Sequence, residues 1–124
     1  MIVDGGRIWI DSHIHIPGWS DAGERSAGIR DVMRVLDADE AHLVWVISYA
    51  LPAVSAIKDN PAEGVPKTNE GQLRLVQEAP AGRIFGSVAV HPGATEESLD
   101  AIDLYAGEHG FVQVGEVLGY AMGF

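Results

Sequence analysis

Ile8-Trp9-Ile10-Asp11-Ser12-His13-Ile14-His15 is the stretch on which the fold turns. The apolar residues at its start mark a buried strand, expected over about residues 7–11. Side chains on a strand alternate with a period of two, so His13 and His15 share one side, with Asp11 in phase. Two neutral imidazoles side by side are a ready pair of metal ligands, because their nitrogens suit zinc, iron, nickel and manganese alike. Parallel α/β sheets place their chemistry at the carboxyl ends of buried strands, where this pair stands. The plainer alternative is two ordinary polar residues where a strand exits into a loop.

Outward from this strand, the chain alternates strand and helix. Pro17 to Gly23 is dense in loop punctuation. A helix is predicted over residues 25–38, because Ile29, Val32, Met33 and Leu36 fall on one helical face. Leu43-Val44-Trp45-Val46-Ile47 reads as a strand buried on both faces. Residues 50–67 hold Pro52, Pro61 and Pro66 and are expected to form a long irregular loop. Asn69 is then expected to cap a second helix, with Gln72 in a capping-box position, Leu73 and Val76 facing inward, and Pro80 at the end. Residues 83–90 form a third strand that runs into His91-Pro92-Gly93. Thr95, followed by Glu96 and Glu97, starts a helix with acids at its positive end. Leu99, Ile102 and Ala106 are its expected inward stripe, and Gly110 its stop. Residues 111–116 are a fourth strand, ending on Glu116. Helical crossovers between consecutive strands imply parallel pairing.

The chain has 124 residues, 47% of them hydrophobic and 21% charged, which fits one domain with a core of its own. No apolar run approaches the roughly 20 residues that span a bilayer, and no membrane is expected. The first residues do not resemble a signal peptide, so the expected location is cytoplasmic. The absence of cysteine limits any metal site to nitrogen and oxygen ligands. A net charge of -10 argues against nucleic acid and anionic membranes as partners. It leaves room for a small-molecule substrate held by a local metal charge.

In a parallel sheet the carboxyl ends of all strands lie along one edge. His13 and His15 end the first strand, His91 follows the third and Glu116 ends the fourth, so the four residues are expected to converge. Glu116 can complete a metal site with the histidines or bridge two ions. Its ordinary alternative is a carboxylate satisfied by an arginine or a helix N-terminus; that of His91 is a residue that shapes its turn. His42 and His109 read as surface or capping residues. Ser48, Tyr49 and Trp19 can line a pocket or serve ordinary loop and packing roles.

Asp11-x-His13-x-His15 at the end of a first strand resembles the amidohydrolase superfamily, metal-dependent hydrolases built on TIM barrels. The passage Ala79-Pro80-Ala81-Gly82-Arg83-Ile84-Phe85-Gly86 is similar to the amidohydrolase-related branch. Val90-His91-Pro92-Gly93 and Val114-Gly115-Glu116-Val117-Leu118-Gly119-Tyr120 are similar to TatD-like hydrolases. The resemblance spans residues 8–120. It implies an α/β chain of parallel β/α units forming about half of a TIM (β/α)8 barrel, residues 1–124 being one partial-barrel domain. It implies His13, His15 and Glu116 as metal ligands and His91 as a catalytic, substrate-side group. The implied cofactor is one or two divalent ions, zinc first, with magnesium or manganese as alternatives. The implied reaction is attack of metal-activated water on an amide, ester or phosphoester bond.

The family also uses histidines from strands five and six and an aspartate from strand eight, and a full barrel takes about 250 residues. The expectation is a chain incomplete for catalysis alone, with strand edges and an apolar face that self-association would cover. Two alternatives stand beside the hydrolase: a non-catalytic metal-binding or interaction half-barrel, and a different histidine-rich phosphoesterase barrel.

Overall fold

The computed structural model describes residues 9–16, 21–38, 43–49, 54–115, 117, 119 and 123. In chain order they form β1 (Trp9–His15), α1 (Ala22–Leu36), β2 (Leu43–Tyr49), α2 (Val54–Asp59), α3 (Pro61–Glu78), β3 (Ile84–Val88), α4 (Thr95–Ala101) and β4 (Gln113–Val114). Beyond α4 the chain continues as a wider π-helical coil, Ile102–Glu108. The four strands make one parallel sheet in the order β1-β2-β3-β4. Each helical crossover therefore delivers the next strand beside the last, without the reversal of order that defines a doubly wound sheet.

Helices α1, α3 and α4 pack on one face of this sheet. Ile84 belongs to a core cluster with Ile29 and Leu36 of α1 and Leu75 of α3. Val88, four residues on and so on the same face, sits in a second cluster with Val65 of α3 and Ala101 beneath Tyr105 and Phe111. α3 is common to both clusters. Its Val65 and Leu75 are sealed from solvent, each contributing about 1.5–3 kcal/mol of apolar burial. Gly86 lies between Ile84 and Val88 because the Phe111 ring covers it; a Cβ there would stand 2.6 Å from the ring. Arg25 of α1 grips Glu78 of α3, with Nη2 and Oε1 2.7 Å apart, and Arg83 ties the start of β3 to Asp37 after α1 at 2.9 Å.

Local chemistry sets several boundaries. The Asp21 carboxylate accepts the Glu24 N–H at 2.8 Å and caps α1. Gly110, with φ of 72°, closes the π coil after His109 in the left-handed conformation that suits glycine. β1 runs further than expected, so both histidines lie inside the strand rather than after it. β4 is shorter than expected, only Gln113–Val114.

Three expectations are corrected. Residues 54–59 and 61–67 are helical, not loop. Pro61 occupies the first turn of α3, where proline lacks only an N–H that would be unpaired anyway, and Asn60 caps it by accepting the Glu63 N–H. Pro66 lies inside α3 on its exposed side, and the helix tolerates the lost bond. Asn69 consequently stands in the middle of α3, fully buried, and caps nothing. Leu99 is not inward: it is 60% exposed, while Ser98, Ala101 and Tyr105 are the residues buried beneath α4 and the coil. Ser98 turns inward because its hydroxyl has backbone partners there, at His91.

Candidate functional site

Ile14 and Ile16 pack into the core shared with α1, so the alternating His13 and His15 project from the opposite face. Both histidines are exposed. Their rings meet nearly edge-on, with centroids 5.0 Å apart and an interplanar angle of 79°. The two Nε2 atoms are hydrogen-bonded at 3.2 Å, the tautomer deciding which ring donates. Asp11 contributes from the backbone side: its Oδ1 accepts the His13 N–H at 3.1 Å, bracing the strand where its register against β2 shifts.

The register carries this row across the sheet. His15 pairs with Tyr49 and Ser87 with Gln113, and Ser87 lies one residue beyond the Ser48–Gly86 pair. A cross-sheet row His15–Tyr49–Ser87–Gln113 thus lies near the carboxyl ends of all four strands. Ser87, between Gly86 and Val88, shares the opposite face with its partner Gln113. The Ser87 hydroxyl is committed, donating to the Gly115 carbonyl at 2.6 Å. Gln113 differs: its Oε1 is buried and accepts no hydrogen bond. A buried acceptor left open costs about 1–3 kcal/mol, so Gln113 is a functional candidate that the sequence reading passed over. The available signal was a lone polar residue between Val112 and Val114 in an apolar strand.

His91 takes up a different position. It is buried, and its Nδ1 accepts the Gly93 N–H at 2.9 Å, which puts the proton of the neutral ring on Nε2. The Ser98 hydroxyl both accepts the His91 N–H and faces its carbonyl, each at 3.0 Å. The residue lines a cavity of about 410 Å³ between the β3–α4 turn, α4 and Val117. Among the described residues no three His, Asp or Glu side chains gather closely enough to share a metal, so His91 does not join the pair in a three-ligand group. Glu116, Trp19 and His42 lie outside the described residues. His109 ends the π coil and stacks 5.8 Å from Tyr105, as a helix-end residue.

The chain matches no protein-family model, no curated protein and no solved structure.

Proposed function

We propose that this chain is the partial barrel of a metal-dependent hydrolase, with His13 and His15 holding a divalent ion at the carboxyl end of β1. The observation that carries the proposal is the 3.2 Å separation of the two Nε2 atoms. Two imidazoles on one tetrahedral zinc, with bonds of about 2.0–2.1 Å, stand about 3.3 Å apart. The donor set fits: neutral nitrogens on one exposed strand face, with no competing thiolate in the chain. Glu116 is the further ligand that the resemblance to amidohydrolases supplies. A sequential parallel sheet with α1, α3 and α4 on one face is the topology that a half-barrel requires, which supports the same reading.

A divalent ion at this place supplies Lewis acidity, acidifying water and polarising a scissile carbonyl or phosphoryl oxygen. The remaining roles belong to the chain. Asp11 holds the strand so that the imidazoles stay paired. Gln113 stands in the same cross-sheet row as His15, its acceptor buried beneath the surface. The hydrogen bonds of His91 favour its turn-shaping role, with Gly93 and Ser98 holding it in place.

A second reading, a metal-binding domain without turnover, is favoured by one observation: both histidines are exposed and no third donor joins them among the described residues. Elemental analysis after zinc loading and dialysis, with hydrolysis of activated ester and phosphodiester probes on the same sample, separates the two. The hydrolase reading expects retained metal and metal-dependent turnover, both lost in His13→Ala and His15→Ala. Retained metal without turnover selects the second reading, and metal retention unchanged in both variants refutes the site.

A further inference from the structure

Among the described residues, the helix-side surface of the sheet is buried at β3 and exposed at β4. Ile84 and Val88 on β3 are 3% and 0% exposed, whereas Val112 and Val114 beside them are 50% and 47% exposed. Val112 N–H bonds to Gly86 O and Val114 pairs with Val88, so these valines continue the face that α3 and α4 cover. Beside them runs the groove whose walls include Val90, Pro92, Leu99, Ile102 and Val117. Its polar wall groups are largely engaged within the protein: Ser98 with the His91 backbone, and Thr95 with the Pro92 carbonyl. The groove is an apolar depression of about 410 Å³.

Charge identifies what fits it. All eight lysines and arginines fall within residues 1–83; residues 84–124 contain none. Glu96 and Asp103 stand three residues before and four after Leu99, one turn to either side on the helix, and Asp100 adjoins it. All three are exposed. They form no ion pair among the described residues, whereas acids on α3 do: Glu63 with Lys67, and Glu70 with Arg74. Such a rim repels a second copy of this chain, whose net charge is -10, and attracts a cation.

We propose that the flank formed by α4 and β4 docks a cationic amphipathic helix of a partner protein. The apolar stripe of that helix lies in the groove over Leu99, Ile102 and Val117, and its lysines or arginines flank the stripe opposite Glu96, Asp100 and Asp103. This is recognition of a helix in a groove, with the apolar stripe supplying affinity and the charged rim orientation and encounter rate. The site is separate from the His13–His15 pair and does not depend on it.

The test uses the full chain and a labelled helical peptide of about 18 residues, leucines on one stripe and lysines beside it. A leucine–glutamate peptide of the same pattern is the control. Fluorescence anisotropy should show saturable binding of the lysine peptide, weakening as salt is raised, and none of the glutamate peptide. Leu99→Glu should weaken binding at least about tenfold, and so should the double change Asp100→Lys with Asp103→Lys. The double change Asp31→Lys with Glu70→Lys alters net charge equally on α1 and α3 and should leave binding within about twofold. All of these side chains are exposed, and circular dichroism serves to check that each variant is folded. Equal loss in the α1/α3 control would show bulk attraction and overturn the proposal. So would equal binding of the glutamate peptide, or light scattering that shows a dimer abolished by Leu99→Glu, which would make the occupant a second copy.

Discussion

The side-chain amide of Asn69 meets both backbone groups of Ala89, donating to its carbonyl at 2.9 Å and accepting its N–H at 2.8 Å. A second donation, to the Val65 carbonyl at 3.0 Å, holds the amide in orientation. All three residues are buried. Asn69→Leu keeps a similar size and removes every partner, leaving the two Ala89 groups unsatisfied. The expected loss is about 2–4 kcal/mol in urea unfolding, and a loss below about 1 kcal/mol would mean that water replaces the amide. Gly86 poses the opposite problem, of space. Gly86→Ala drives a methyl into the Phe111 ring and should cost about 1–3 kcal/mol. Combining it with Phe111→Leu should recover part of that cost, whereas strict additivity in the double-mutant cycle would show that the two side chains do not meet.

At the scale of elements, the Arg25–Glu78 contact fastens α1 to α3. Arg25 Nε lies 3.1 Å from both carboxylate oxygens and Nη2 2.7 Å from one. The hydrogen bond from Arg25 holds the Glu78 carboxyl below its ordinary value of 4.5, against the opposing effect of burial. The same bond raises Arg25 above its ordinary range, so Arg25 stays charged throughout. A depressed carboxyl contributes its stability above the unfolded-state pKa and loses it as pH falls through the lower folded-state value. Wild type should therefore exceed Glu78→Gln in urea midpoint at neutral pH, the gap closing as pH drops below about 4.5. A gap constant with pH would sink the assignment.

The same elements show what a sequence makes legible. β1, β2 and β3, α1 and the later part of α3 are readable because apolar runs and helical periodicity are local signals. The stretch after Ala50 was misread because proline was taken as a breaker throughout, although Asn60 followed by Pro61 is itself a helix start. Leu99 misled because the small Ser98 and Ala101, not the large residue beside them, let α4 approach the sheet closely. The His13–His15 pair was legible because a period of two decides it within one strand. Gln113 and Asn69 were not, since their roles arise only when β4 and α3 meet distant backbone.

For the whole molecule, the one-sided arrangement divides the sheet into two surfaces of different character. One receives α1, α3 and α4 and builds the two larger core clusters; the other carries His13, His15, Ser87 and Gln113. α3 bridges the two clusters, and through Asn69 it is also bonded to the chain just past β3. That bond makes one amide a reporter on the assembly as a whole. Ala89 follows the last residue of β3, and its N–H is held by an amide of α3, so its exchange is expected to report on the contact between α3 and the sheet. Its exchange should track that of the Val88 and Leu75 amides across a urea series. Exchange much faster than theirs would reveal a helix that detaches while the sheet persists.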